Sequence, residues 1–210
     1  MELLNRDEIE DEMLAALLLL WMAQQERFED TPEFWQQKDD EDRAWLLYWL
    51  AAVFVASARQ HGIDQIVAEE GVRVWGAGHA IRVMQGLRRH SMELLAGDNP
   101  SETIFAESRA KRLTVTEFTE ARSAGGEYAK LVLGSISPED LWFTIPDERR
   151  CAYCAPLHLT PRSEWLDIYN SKILPDHPEY AAYGPPQRAP AHPNCRCFIQ
   201  YSGESNEDAV

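Results

Sequence analysis

All four cysteines of the chain fall in two short pieces of its last quarter, Cys151-Ala-Tyr-Cys154 and His192-Pro-Asn-Cys195-Arg-Cys197. A CxxC turn pre-pairs two thiolates, and a second segment carrying imidazole and thiolate completes the tetrahedral set that Zn²⁺ prefers. Any fold of this chain must therefore bring two distant segments to one point. Cys151, Cys154 and Cys195 are three expected ligands, and the fourth is either Cys197 or His192. In an extended segment Cys195 and Cys197 point to the same side, whereas His192 and Cys195 need a turn, which Pro193-Asn194 can supply. Two disulfides and uncoordinated thiols are the competing readings. A redox CxxC fits less well, because it opens a helix after a strand and here Ala155-Pro156 follows.

The residues around these ligands carry a resemblance. The run Trp142-Phe-Thr-Ile-Pro-Asp147-Glu-Arg-Arg-Cys151-Ala-Tyr-Cys154-Ala-Pro-Leu157-His158, then Pro185-Pro186, then Pro190-Ala-His192-Pro-Asn-Cys195-Arg196-Cys197, resembles the C-terminal domain of phage minor head proteins, the Mu F-like or head morphogenesis family. Upstream, Leu113-Thr-Val-Thr116-Glu117-Phe-Thr-Glu-Ala121 followed by Gly125-Gly126 is similar to that family's Thr-Glu helix. The likeness spans roughly residues 104–200 and departs from the family at Leu159, where members often carry Gly. It implies a minor head component of a tailed phage or prophage, inside the capsid near the portal, and in the host cytoplasm during assembly. The implied partners are the portal protein and other head proteins, capsid or scaffold, with packaged DNA at most a weak contact.

The bulk properties narrow the function classes. A formal net charge of −15 over 210 residues opposes a protein that coats nucleic acid, since backbone binding uses Lys and Arg to replace counterions. It also disfavours anionic membranes. The start, Met1-Glu-Leu-Leu-Asn-Arg-Asp-Glu, has no basic region leading into an apolar core. No signal peptide is expected, and the reducing compartment this implies favours thiolates over disulfides.

Periodicity points to helices in the first half. Ile9, Met13, Leu17 and Leu20 mark one over 6–27, with acids at its start where the helix dipole favours them. Thr31-Pro32-Glu33 caps a short second helix. Beyond the Asp39–Asp42 cluster, residues 44–58 form the most apolar run, too short for the about 20 residues of a membrane span and so a core helix, closed by Gly62. A further helix over 63–95 is loosened by Gly76 and Gly78. Its Arg73, Arg82, Arg88 and Arg89, with Arg109, Lys111 and Arg112, form the one local basic excess, read as solvated or paired with the acidic helices. His61, His79 and His90 are read as ordinary packing or surface histidines. Gly97-Asp-Asn-Pro100 is the clearest boundary. The helix after it, 101–133, carries Thr116 and Glu117, a pair expected to bond the cysteine-bearing lobe or to hold Arg112. Gly125-Gly126 weakens that helix.

Leu141 to Ile145 reads as a strand by its aromatic and β-branched content, and 195–201 as its partner, with Cys197, Ile199 and Tyr201 on one face. Between Leu159 and Pro190 there is little periodicity and much proline, a loop long enough to need closure by a metal. The expected fold class is mainly α with a small β lobe (α+β). An acidic helical region, 1–97, precedes a unit over 98–202 ending in a two-stranded, zinc-stapled lobe, and 203–210 is an acidic tail. Four protein ligands close a zinc site and make it structural, so no enzyme activity and no small-molecule substrate are expected. The rival reading is a zinc-dependent hydrolase with an open metal position and Glu117, His158 or Asp147 as general base, or an ADP-ribosyltransferase-like enzyme, whose paired glutamates are absent near the end of the chain. Trp142, Asp147 and Arg196 are motif residues of the resemblance, with Thr116 and Glu117.

Overall fold

The computed structural model describes residues 5–144, 151–189, 191–192 and 195–202. Five helices come first: α1 (Arg6–Glu26), α2 (Pro32–Gln60), α3 (Gln65–Leu94), α4 (Pro100–Ile104) and α5 (Glu107–Val132). Their starts follow local chemistry. The side chains of Asn5, Thr31 and Asp64 accept the N–H groups of Glu8, Phe34 and Ile66, each satisfying a donor that a helix N-terminus leaves open. Gly62 ends α2 with φ +94°, as a helix C-terminus often requires.

α2 is one helix where the acidic cluster suggested two. Asp42 is buried instead of solvated: it pairs with Lys38 one turn back, and its Oδ1 accepts from Gln24 Nε2 at 3.1 Å. The Lys38 ammonium lies over the rings of Trp21 and Phe105. A charge satisfied this fully can occupy a core face without ending the helix. The break falls instead after α4, where Phe105 and Ala106 separate two helices expected as one.

α2 and α5 form the central helix pair, with α3 packed chiefly on α2 and α1 chiefly on α5. The buried face of α5, with Ala110, Thr114, Phe118, Ala121, Ala124, Gly125 and Ala129, is mostly small. Small side chains let backbones approach closely, and a Cβ on Gly125 would sit 2.3 Å from the Phe54 carbonyl oxygen of α2. Gly125-Gly126 therefore does not break α5; it admits α2. Because α5 is shared in this way, the turn at 97–99 does not separate its packing from that of the preceding helices. No helix among the described residues is long and apolar enough to cross a membrane.

The C-terminal lobe has three strands, not two. β1 (Leu141–Phe143) lies between β2 (Thr160–Pro161) and β3 (Phe198–Gln200), antiparallel to both, with Trp142 opposite Thr160 on one side and Ile199 on the other. β2 carries no alternation to read, and its proline sits at a sheet edge, where a missing donor is tolerated. The expected loop is also ordered. A 3-10 turn (Arg162–Glu164), α6 (Trp165–Ile168), a π turn (Tyr169–Ile173) and α7 (Leu174–Asp176) follow without interruption, and a 3-10 run covers Pro178–Tyr183. Trp165, Ile168, Tyr169 and Ile173 recur at helical spacing and are all buried with Trp142, Tyr153 and Leu157.

The close approach at Gly125 gives opposite outcomes for two glycine substitutions. Gly86→Ala, which meets nothing within 4 Å in α3, should stabilise by up to about 1 kcal/mol through helix propensity. Gly125→Ala should destabilise by about 1–3 kcal/mol despite the same propensity gain, because α2 must move. Urea unfolding of the two variants checks this.

Candidate metal centre

Antiparallel pairing places the end of β1 beside the start of β3, with Phe143 opposite Phe198 and their rings stacked at 4.8 Å. The Cys151–Cys154 turn follows β1 and Cys195–Cys197 precedes β3, so both ligand segments emerge at one end of the sheet. The turn is closed by the Ala155 N–H on the Cys151 carbonyl at 2.9 Å, and the Cys154 N–H lies 3.3 Å from Cys151 Sγ.

All five expected ligands converge. Cys151, Cys154 and His192 form one triad and Cys154, Cys195 and Cys197 another, with the ligand atoms of each mutually within 4.8 Å. His192 Nε2 lies 2.9 Å from Cys151 Sγ and 3.3 Å from Cys154 Sγ, and the sulfurs of Cys154 and Cys195 are 3.7 Å apart. The last distance is the edge expected of a tetrahedron with metal–sulfur bonds of about 2.3 Å. The four thiols are free. These groups are positioned to bind a metal ion, and Cys154 belongs to both triads.

Electrostatics within the cluster favour a cation. The Cys151 thiol is lowered to about 4, first by its hydrogen bond with Cys154 and then by His192, against the opposing effect of burial. Cys195 is also lowered well below an ordinary thiol, first by Cys154 and next by Cys197. Cys154, the shared partner, is raised by Cys151 and then Cys195. For Cys197 the hydrogen bond with Cys154 acts downward, but Cys195 and burial outweigh it and the thiol is raised. Two lowered thiols thus stand against two raised ones, an arrangement in which a metal ion can replace the remaining protons.

The surroundings fix these ligands. Tyr153 and Tyr183 each hold a ring 5.9 Å from that of His192. The Tyr153 hydroxyl donates to the Gly184 carbonyl at 2.8 Å, tying the turn to the loop before the second ligand segment. Trp142, fully buried at the centre of β1, packs edge-on against Trp165 at 5.1 Å and favours the thiolate of Cys197. Arg196, between two ligands, directs its side chain to Asp7 of α1 at 3.5 Å, and its carbonyl accepts from Arg6 Nη1 at 3.1 Å.

The other expected site residues lie elsewhere. Glu117 is buried in the helical bundle, its Oε2 2.6 Å from Nε2 of His79, whose ring stacks on Trp75 at 4.6 Å. Neither the lobe nor Arg112 holds it. His79 is thus the partner that spacing could not show, because it comes from another helix. Thr116 donates to the Arg112 carbonyl within α5. His158 uses Nδ1 to accept from the Thr144 N–H at 3.2 Å. Asp147 and the Pro193-Asn194 turn lie outside the described residues. Two groups were not singled out by sequence. Arg6 joins α1 to α5 through Thr119 and to the ligand segment. Asp140, fully buried, accepts from Ser137 and Ser202 N–H groups and faces Arg162 at 3.6 Å.

No family model, curated protein or solved structure matches the chain.

The backbone immediately after the turn is strained at one residue. Leu159 has φ +59° and is half-exposed, a left-handed conformation costing an L-residue about 1–2 kcal/mol; its N–H donates to the Trp142 carbonyl at 2.7 Å. Leu159→Gly relieves that strain at an entropic cost of about 0.5–1 kcal/mol. It should therefore raise stability slightly, by roughly 0.5 kcal/mol, whereas Leu159→Val should lower it, since β-branched residues resist positive φ. Thermal unfolding of both variants reads the difference in sign.

Proposed function

We propose that the cluster is a closed structural zinc site and that the chain is a non-enzymatic head component of a tailed phage or prophage. In this reading zinc, held by Cys151, Cys154, Cys195 and one of His192 and Cys197, staples the three-stranded lobe and its long loop. The observation that carries the reading is the convergence of five thiolate and imidazole ligands at one end of the β1–β3 pair. Four protein ligands leave no position for an activated water, so the metal contributes folding free energy. The candidate general bases that lie in the described residues are committed to packing: Glu117 to His79 and His158 to the Thr144 backbone.

The head assignment rests on the motif order from Trp142 to Cys197 and on the Thr116-Glu117 helix. Leu159 adds support, because its left-handed backbone occurs where the resembled family often carries Gly. In this role the chain sits within the capsid beside the portal and contributes to head morphogenesis, DNA packaging or DNA delivery. The acidic first helices are the docking element for portal or scaffold. A portal-capture assay in which residues 98–202 bind and the acidic helices make no contribution within the full chain would contradict that last assignment.

Elemental analysis of the purified protein tests the staple. About one zinc per chain is expected, lost in Cys154→Ser and in only one of His192→Ala and Cys197→Ser. Chelation should abolish the near-ultraviolet circular dichroism of the Trp142–Trp165 lobe while most far-ultraviolet helical signal stays, because metal binding in such small lobes carries about 10 kcal/mol or more of folding free energy. A lobe that stays folded with no metal bound would remove the structural-zinc reading.

A further inference from the structure

The second ligand segment is held from outside the cluster by the first turn of α1. Cys195 and Cys197 are both buried, and the side chain of Arg196 between them runs to Asp7 at 3.5 Å. The Arg196 carbonyl accepts from Arg6 Nη1 at 3.1 Å, a contact across 190 positions of sequence. The rest of the Arg6 guanidinium is engaged as well. Its Nε donates to Glu10 Oε1 at 2.5 Å, its Nη2 donates to Thr119 Oγ1 of α5 at 2.9 Å, and the group lies over the Phe118 ring at 5.4 Å. One side chain, 10% exposed, therefore ties α1, α5 and the ligand segment together. A guanidinium suits such a junction, because its donors are fixed in one plane and each contact orients the others.

The start of α1 depends on the same junction. The fully buried residues of this helix begin at Met13, and residues 6–12 include one apolar side chain, Ile9. Two terminal turns are not kept by helix propensity alone. They are seated by the Asn5 cap, by Ile9 against the cluster of Leu46 and Phe118, and by Arg6. Glu8, Asp11 and Glu12 stand exposed on these turns. Whatever fixes the ligand segment thus helps to fix the acidic start of α1, and the converse holds, since coupling between two sites is reciprocal.

We propose that Arg6 is a positioning residue of the metal centre, and that metal binding by the cluster and ordering of the first two turns of α1 are one coupled equilibrium. Arg6 acts through the Arg196 carbonyl, which lies on the backbone between Cys195 and Cys197. Occupancy of the centre therefore governs whether the exposed acids of α1 are presented on a formed helix. The coupling rests on the metal reading above and is independent of the proposed role in a phage head.

Hydrogen exchange of the full chain, loaded with zinc and then stripped by a chelator, tests the coupling. Removing zinc should speed exchange at amides 9–12 by about tenfold or more while amides 17–26 keep their protection. Competition with a chromophoric chelator should show that Arg6→Lys, which keeps the charge and loses the fork, binds zinc about tenfold more weakly with its helical circular dichroism unchanged. Exchange at amides 9–12 indifferent to zinc, a rise spread evenly along α1, or zinc affinity in Arg6→Lys equal to wild type would each overturn the proposal. The wild-type exchange decides it if Arg6→Lys loses helical signal. A wild-type chain that holds no zinc by elemental analysis would remove the metal reading and the coupling together, an outcome distinct from zinc bound without effect on α1.

Discussion

The pairing of β1 with β3 is the constraint on which the C-terminal half depends. It joins Leu141–Phe143 to Phe198–Gln200 across a long intervening loop, and it does so with three residue pairs. Closing a loop of that length costs chain entropy that so few ladder bonds do not offset. The ligand cluster lies at the end of the same pair, where the two strands begin to part. A metal held there acts on the weakest point of the topology, since it fixes both strand ends and the loop between them with one set of bonds. The buried aromatic core of Trp142, Tyr153, Trp165 and Tyr169 then forms on the side the closure has defined.

The lobe is seated on the helices by charge and rings more than by apolar contact. Arg162 reaches Glu127 at 3.2 Å and Arg188 reaches Glu120 at 3.1 Å, both on α5. The Arg122 guanidinium lies over Phe198, and His61 meets Tyr201 edge-on at 5.0 Å. Burial raises the Glu120 carboxyl and Arg188 opposes that shift. Such a seam is directional: it sets the orientation of the lobe through α5, while α5 itself is fixed by its backbone contact with α2. Gly126 serves the same seam, since a Cβ there would meet the His61 ring at 2.9 Å and the Tyr201 hydroxyl at 3.2 Å.

What could be read in the sequence is what depends on short range. Caps at Thr31 and Gly62, the extent of α1, the strand at Leu141 and the alternation of Cys197, Ile199 and Tyr201 are all local patterns. The five clustered Cys and His side chains were legible because the candidate ligands concentrate in two motifs. What escaped depends on partners from other elements. Asp42 looked like part of a solvated acidic run until Lys38 and Gln24 enclosed it. Glu117 has its partner on α3, and His79, though stacked on Trp75, meets its carboxylate from another helix. The turns of 162–183 escaped because their one repeat, Trp165, Ile168, Tyr169 and Ile173, spans too few residues before Pro175 to stand out from the proline-rich sequence around it.

The placement of basic groups bears on what the chain can meet. Of the Lys and Arg residues, Arg6, Lys38, Arg88, Arg162, Arg188 and Arg196 are largely covered and each engages an acidic side chain. Arg109 and Arg122 are also drawn inward, and burial lowers both, Arg122 to about 10. Part of the positive charge is therefore drawn into internal ion pairs, each of which also neutralises an acid, and the chain keeps its net charge of −15. A surface of that kind repels phosphate backbones and attracts basic protein faces, with an attraction that salt weakens. Arg43, Arg59, Arg82, Arg89, Lys111 and Arg112 remain exposed, but they are distributed over α2, α3 and α5, so no one helix collects the positive charge into a face that an anionic partner could use.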